Sequence, residues 1–128
     1  MANKIIIKTE NAPAPIGPYN QAIKVGDIVY ISGQIALEAK TGELNMKDLN
    51  TETHQVMKNL AAILKEAGSS FDGVIKSSIF LSDMGSFGEI NEIYGSYFTA
   101  DFPARETIEV AQLPKSVNVE ISVIALCS

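Results

Sequence analysis

Two residues of this chain combine a reactive type with an unusual setting. Arg105 lies in Asp101-Phe-Pro-Ala-Arg-Glu-Thr107, at the entry to a strand. A guanidinium grips a carboxylate through two parallel charge-assisted hydrogen bonds, a geometry that lysine cannot copy. The chain uses lysine nine times and arginine once, so ordinary solvation is left to lysine. The bland alternative is a surface ion pair with one of the fifteen acidic residues. Glu120 sits in Val117-Asn-Val-Glu-Ile-Ser-Val-Ile-Ala-Leu126, the most apolar strand of the sequence. Alternation sets Val119, Ile121, Val123 and Ala125 on one face and Glu120, Ser122, Ile124 and Leu126 on the other. Two readings stand. Glu120 is an outward-facing acid on a half-solvated strand, or a partly buried one whose raised pKa suits proton transfer or the positioning of water.

Weaker candidates surround these two. Asn91 falls on the apolar side of a helix with Phe87, Tyr94 and Phe98, and a buried amide must find hydrogen-bond partners. A helix-to-sheet hydrogen bond would satisfy it without any ligand. Ser32-Gly33 interrupts an apolar strand, which marks either a bulge or the close approach of a ligand or another backbone. His54 reads as a solvated histidine, Tyr94 and Tyr97 as core, and Cys127 has no assigned role.

The elements that must position these residues are legible in the periodicity. Ala22–Val25 and Ile28–Ile35 flank Gly26-Asp27, a two-residue hairpin turn of the Gly-X type. Ile5–Ile7, Val74–Leu81, Thr107–Ala111 and Val117–Leu126 are further strands, the last two read as a pair joined by Gln112-Leu-Pro-Lys-Ser116. Val56, Leu60, Ile63, Leu64 and Ala67 predict a helix over Thr51–Ala67, capped by Asn50 or Thr51 and closed by Gly68. A second helix is predicted over Ser86–Phe98, with Ser86 and Glu89 at capping-box spacing. Asn11-Ala-Pro-Ala-Pro-Ile-Gly-Pro-Tyr19 must be an extended surface loop, because its prolines forbid a helix interior or a central strand.

The order β-β-β-α-β-α-β-β reads as a single α+β domain over residues 1–128. Two helices can cover only one sheet face. The other face also carries apolar residues, so it is expected to be buried in a homo-oligomer.

Composition narrows the function. A formal charge of −5 with one arginine lacks the footprint of a protein that neutralises many phosphates. One cysteine and one histidine exclude an internal disulfide, a cysteine-rich zinc site and paired-histidine metal motifs. The opening Met1–Lys8 holds too short an apolar run for a secretory signal. No stretch approaches the roughly 18 apolar residues of a spanning helix. The expectation is a cytoplasmic protein with no membrane or nucleic-acid partner.

Four segments together are similar to one known family. Gly17-Pro-Tyr-Asn-Gln-Ala22, Ile31-Ser-Gly-Gln-Ile35, Asn59-Leu-Ala-Ala-Ile-Leu64 and Phe102-Pro-Ala-Arg-Glu-Thr-Ile-Glu-Val-Ala-Gln-Leu-Pro114 followed by Val119-Glu-Ile121 resemble the RidA/YjgF/UK114 family. The resemblance runs from about Pro15 to Ala125. It implies a chorismate-mutase-like fold and a homotrimer whose sheets form a central barrel, with clefts between subunits. It implies hydrolysis of reactive 2-enamino and 2-imino acids, such as 2-aminoacrylate and 2-aminocrotonate, to 2-oxo acids and ammonia, with no cofactor and no metal.

On that resemblance Arg105 would clamp the substrate carboxylate and Glu120 would orient the attacking water. Tyr19 would close over the substrate, Ser32 and the Gly33 backbone would line the pocket, and Asn91 would lie nearby. Thr107 stands where the family often has cysteine, so only a role played by its backbone N–H would survive. Asn20 replaces a common serine and Ser122 a common second glutamate. A ligand-binding or regulatory module for 2-oxo acids is the alternative from a different class. An endoribonuclease or translation inhibitor, a role attached to some relatives, fits the acidic charge least.

Overall fold

The structure is a computed structural model that describes residues 3–128. Met1 and Ala2, the first residues of the segment read above for a leader, lie outside the described residues. The strands are β1 (Lys4–Ile7), β2 (Ala22–Val25), β3 (Ile28–Gln34), β4 (Val74–Leu81), β5 (Ala104–Glu109) and β6 (Val119–Leu126). The helices are α1 (Leu49–Glu66) and α2 (Phe87–Gly95). The strands form one sheet in the order β1-β2-β3-β6-β4-β5. All neighbours are antiparallel except β4 and β5, which run parallel.

The predicted element order is therefore observed, but one pairing is not. β5 and β6 do not lie side by side: β4 stands between them. β4, α2 and β5 form a β-α-β unit, and a parallel pair needs a crossover of that length. The segment 110–118 then carries the chain past β4 to enter β6 on its far side.

Both helices pack on one face. On β6, Val119, Ile121 and Ala125 are fully buried, as are Val29 of β3 and Leu81 of β4. Helix α1 meets them with Val56, Met57, Leu60, Ile63 and Leu64, all with no exposed surface. Burying each such side chain contributes about 1.5–3 kcal/mol. The opposite face carries no helix among the described residues. Tyr30 is 48% exposed, Ile6 56%, Ile108 46% and Leu126 49%.

Local signals explain most boundaries. Gly26 has φ 59° and Asp27 is not left-handed, as a Gly-X hairpin turn requires. Gly68 takes φ 79° at the end of α1. The N-cap of α1 is Asp48, not Asn50 or Thr51: its Oδ1 accepts from the Thr51 N–H at 2.7 Å. That bond holds the Asp48 carboxyl below the usual carboxylate range. Ser86 does not form the predicted capping box. It closes a short 3₁₀ turn, and Asp83 caps that turn through Gly85 N–H at 2.8 Å. Helix α2 also stops at Gly95, three residues short of Phe98, which is buried beyond the helix end.

One buried polar group joins the layers. Glu52 of α1 is wholly buried. Its two oxygens accept the Asn118 backbone N–H at 2.8 Å and side-chain N–H at 2.7 Å, at the doorstep of β6. Glu52→Ala removes two charge-assisted bonds and leaves their donors unpaired. It should lower unfolding stability by about 2–4 kcal/mol, read as a lower urea midpoint at unchanged slope.

Candidate active site

Alternation on β6 turns Glu120 away from the helices, and register shows what it meets there. Ile31 of β3 pairs with Val123, and Gln34 pairs with Ile121. Over that span β3 therefore uses one residue more than β6, which is a bulge at Ser32-Gly33. The bulge reading of this dipeptide holds, while the close approach is made by the Glu120 side chain rather than by a ligand or another backbone. A Cβ on Gly33 would collide with the Glu120 carboxylate, lying 2.8 Å from its Cδ. The missing side chain of Gly33 is the seat of the Glu120 carboxyl. Burial pushes that carboxyl above the usual glutamate range.

The seat opens into a cleft of about 390 Å³, lined by Ile16, Tyr19, Ser32, Gly33, Ile35 and Glu120, among others. Tyr19 reaches it from the proline-rich loop, half-exposed, and its hydroxyl accepts from the Ile16 N–H at 3.4 Å. Ser32 lines the cleft, but its hydroxyl is engaged: it donates to the Asn20 carbonyl at 2.6 Å. Its part is to tie the loop to β3.

Arg105 lies on the other side of the sheet. It pairs with Ser77, whereas Glu120 pairs with Phe80, an odd number of residues further along β4. Odd separation along a strand means opposite faces. Arg105 shares a second cleft, of about 350 Å³, with Asn91, Tyr94, Phe102 and Pro103. Its guanidinium carbon stands 5.3 Å from the Tyr94 ring centre and 5.6 Å from that of Phe87. These are cation–π distances. The ion pair found among the described residues is Lys76–Glu106 at 2.9 Å, and among them Arg105 pairs with no carboxylate. The bland reading of this arginine, a surface ion pair, is not what the structure contains.

Asn91 is half-buried and borders the arginine cleft. Thr107 points to the same face of β5 as Arg105, and its hydroxyl is buried without a hydrogen-bond partner among the described residues. It borders neither cleft. Tyr94 is core, as expected, yet it also braces the arginine: its hydroxyl donates to Ser77 Oγ at 2.8 Å, and burial raises its pKa. His54 is not simply solvated, since Nδ1 and the Tyr97 hydroxyl are 2.7 Å apart. Phe87 and Phe102 were not singled out by sequence. The signal was present, because Phe102 stands in the segment that leads into Arg105 and Phe87 lies seven residues before Tyr94 on α2.

Comparison with known proteins assigns the chain to a group. The family model described as Endoribonuclease L-PSP matches residues 9–127. The chain belongs to the RidA/YjgF/UK114 family. A mouse relative named 2-iminobutanoate/2-iminopropanoate deaminase is 46% identical over 121 residues, covering 94% of this chain and 90% of that protein. The crystal structure of a Rid family protein, YyfA of Yersinia pestis, superposes with a TM-score of 0.94 at 46% identity, covering 97% of this chain and 99% of that one. TdcF of E. coli, solved with bound serine, gives 0.93 at 40% identity, covering 98% and 100%. Among the described residues no helix is long and apolar enough to cross a membrane.

The seat of Glu120 makes a direct prediction for this RidA-family chain. Gly33→Ala must drive the carboxylate out toward water. Its pKa, followed by carboxyl-carbon NMR, should fall from its raised value toward the ordinary glutamate value of about 4.3. An unchanged titration would refute the packing.

Proposed function

We propose that this chain hydrolyses reactive 2-imino acids, and the 2-enamino acids that tautomerise to them, giving 2-oxo acids and ammonia. The observation that carries the reading is a matched pair of half-sites. An arginine without a counter-ion among the described residues sits in one aromatic cleft, and a partly desolvated carboxyl sits in another. A small carboxylate-bearing imine needs both. The sheet keeps them apart within one chain, so the complete site joins Arg105 of one subunit to Glu120 of the next. The uncovered apolar face supports such an assembly, and we propose a homotrimer with clefts between subunits.

The chemistry asks little of the protein. Arg105 clamps the substrate carboxylate through its fork, and Tyr19 covers the substrate from the loop. The ionised Glu120 accepts a proton from water as the water oxygen bonds to C2 of the imine. The C=N π electrons move to nitrogen, and Glu120 passes the proton there. The resulting carbinolamine then collapses. Glu120 carries the hydroxyl proton to the amino nitrogen, the C–N bond breaks as C2=O forms, and ammonia leaves with the carboxylate regenerated. Because the imine carbon is already electrophilic, orientation and one proton relay are sufficient. No cofactor enters the scheme.

The named deaminase relative supports this reading, and the serine bound to TdcF is likewise a small carboxylate. A 2-oxo-acid-binding module would use the same two half-sites without turnover. The ribonuclease description of the family model sits poorly with a charge of −5, one arginine, and a lone histidine bonded to Tyr97.

The decisive assay generates 2-aminoacrylate or 2-aminocrotonate in situ and follows imine decay. The protein should accelerate it. Arg105→Ala should abolish most of the acceleration and Arg105→Lys nearly as much, because the bidentate geometry is lost. Glu120→Gln should lower kcat by about 10²-fold or more. Saturable 2-oxo acid binding without any acceleration would favour the binding module instead. The needed form of Glu120 is the carboxylate, and burial raises its pKa. The acid limb of kcat/KM should therefore lie above the ordinary glutamate value, activity falling as pH drops through it, and should vanish in the glutamine variant. Sedimentation should give three times the 13.8 kDa chain mass, and a monomer at micromolar concentration would refute the shared site.

A further inference from the structure

We propose that Gln21 is the positioning residue of the substrate-covering wall, acting as a clamp that fixes the proline-rich loop over the Glu120 cleft. The inference rests on the deaminase reading for its kinetic consequence only.

The loop between β1 and β2 has an accounting problem. Pro13, Pro15 and Pro18 have no N–H to donate, so this stretch cannot tie itself down by a backbone ladder. Its own bonds are sparse: Tyr19 N–H to the Gly17 carbonyl at 2.8 Å, and Ile16 N–H to the Tyr19 hydroxyl at 3.4 Å. Yet Pro13, Ala14, Ile16 and Tyr19 form a wall of the cleft. A wall built from such a segment needs an anchor in the fold.

Gln21 is that anchor. The residue is buried, with 3% of its surface exposed. Its Oε1 accepts the Thr9 N–H at 2.7 Å. Its Nε2 donates to the carbonyls of Thr9 at 3.0 Å and Pro13 at 2.9 Å, with Ala12 sharing at 3.3 Å. One amide thus binds both ends of the turn that launches the loop. The main chain of Gln21 is fixed in turn, because its carbonyl accepts the Ser32 N–H at 2.9 Å. Ser32 also holds the Asn20 carbonyl. The clamp therefore references the loop to the Ser32-Gly33 bulge, the same backbone that seats Glu120. Loop wall and carboxyl share one origin.

Gln21 borders the cleft, but its amide is spent on the loop and the proposed scheme routes no proton through it, so its removal should disturb binding and leave the proton relay intact. Gln21→Met keeps length and volume and deletes all of the side-chain bonds to Thr9, Ala12 and Pro13. Gln21→Glu keeps the acceptor for Thr9 N–H but loses the paired donors. Each should raise KM about ten-fold with kcat within about two-fold, the signature of lost uniform binding. In Gln21→Met, which adds no charge to the cleft, the pH profile of kcat/KM should keep its acid limb, since Glu120 is not moved.

Hydrogen exchange supplies a readout that needs no activity. Amides of residues 9–19 should exchange at least ten-fold faster in either variant, while those of α1 and β6 stay as slow as before. Gly68→Ala, which strains the left-handed end of α1 far from the cleft, should lower thermal stability without changing KM. A KM that rises equally in Gly68→Ala, or faster exchange spread over α1 and β6, would mean general destabilisation and overturn the clamp. Unchanged exchange over residues 9–19 would overturn it outright. A wild-type protein that accelerates no imine decay defeats the deaminase reading, and the exchange data then judge the clamp alone.

Discussion

Strand β6 lies inside the sheet, between β3 and β4, and its alternation divides the molecule into two sides with different tasks. Val119, Ile121, Val123 and Ala125 close the core under the helices, so β6 cannot slip by one residue without turning this set out to water. That same constraint fixes Glu120 on the uncovered face. It is the reason a carboxyl can stand in the most apolar strand at tolerable cost. Half-buried on a face without helices, it needs only a local seat, and the bulge at Ser32-Gly33 provides one. Everything proposed for the chemistry follows from a register that the hydrophobic core enforces.

The irregular parts are held by buried polar side chains rather than by secondary structure. Gln21 holds the loop after β1. Asn59 of α1 is buried and donates to the carbonyls of Ile35 and Leu37, at 3.1 and 2.9 Å, steadying the chain just after β3. Glu52 holds Asn118 at the start of β6. These three segments border the Glu120 cleft. The arrangement is physically economical, since cleft walls cannot be both extended and self-bonded, while a single amide or carboxylate in the core can satisfy several backbone groups at once. It also means that the geometry of the cleft is inherited from the stable core of α1 and the central strands.

Much of this was legible in the sequence because it rests on local periodicity. The face assignment of β6, the Gly26-Asp27 hairpin, the body of α1 and the glycine that ends it all follow from nearest-neighbour physics. What was not legible depends on long-range choice. Hairpin logic pairs Thr107–Ala111 with Val117–Leu126, but β4 competes for both strands and takes the place between them. Asp48, Asn50 and Thr51 are all good caps, and only the path of the incoming chain selects Asp48. Ser86 and Glu89 have the right spacing, but a 3₁₀ turn already occupies Ser86 in a helical conformation, and a cap residue must be extended. Arg105 and Glu120 were both singled out from their types. That they occupy opposite faces required the register of two strands against a third.

The opposite placement also gives the charge balance a meaning. An arginine flanked by aromatic rings and lacking a carboxylate partner among the described residues keeps its hydrogen-bonding fork for a ligand. The Lys76–Glu106 pair, joined by the Ser78 hydroxyl to Glu106, lies on the uncovered face and neutralises itself locally. The Ser78 hydroxyl first, and Lys76 beside it, hold the Glu106 carboxyl below the usual range. Arg105 thus stands without an ion pair among the described residues on the helix side, while a self-contained ion pair sits amid the apolar residues of the other side. In a molecule of net charge −5, long-range attraction does not deliver an anion to the cleft. A short-range, bidentate and partly desolvated fork captures it instead, and such contacts are screened far less by salt than exposed ones.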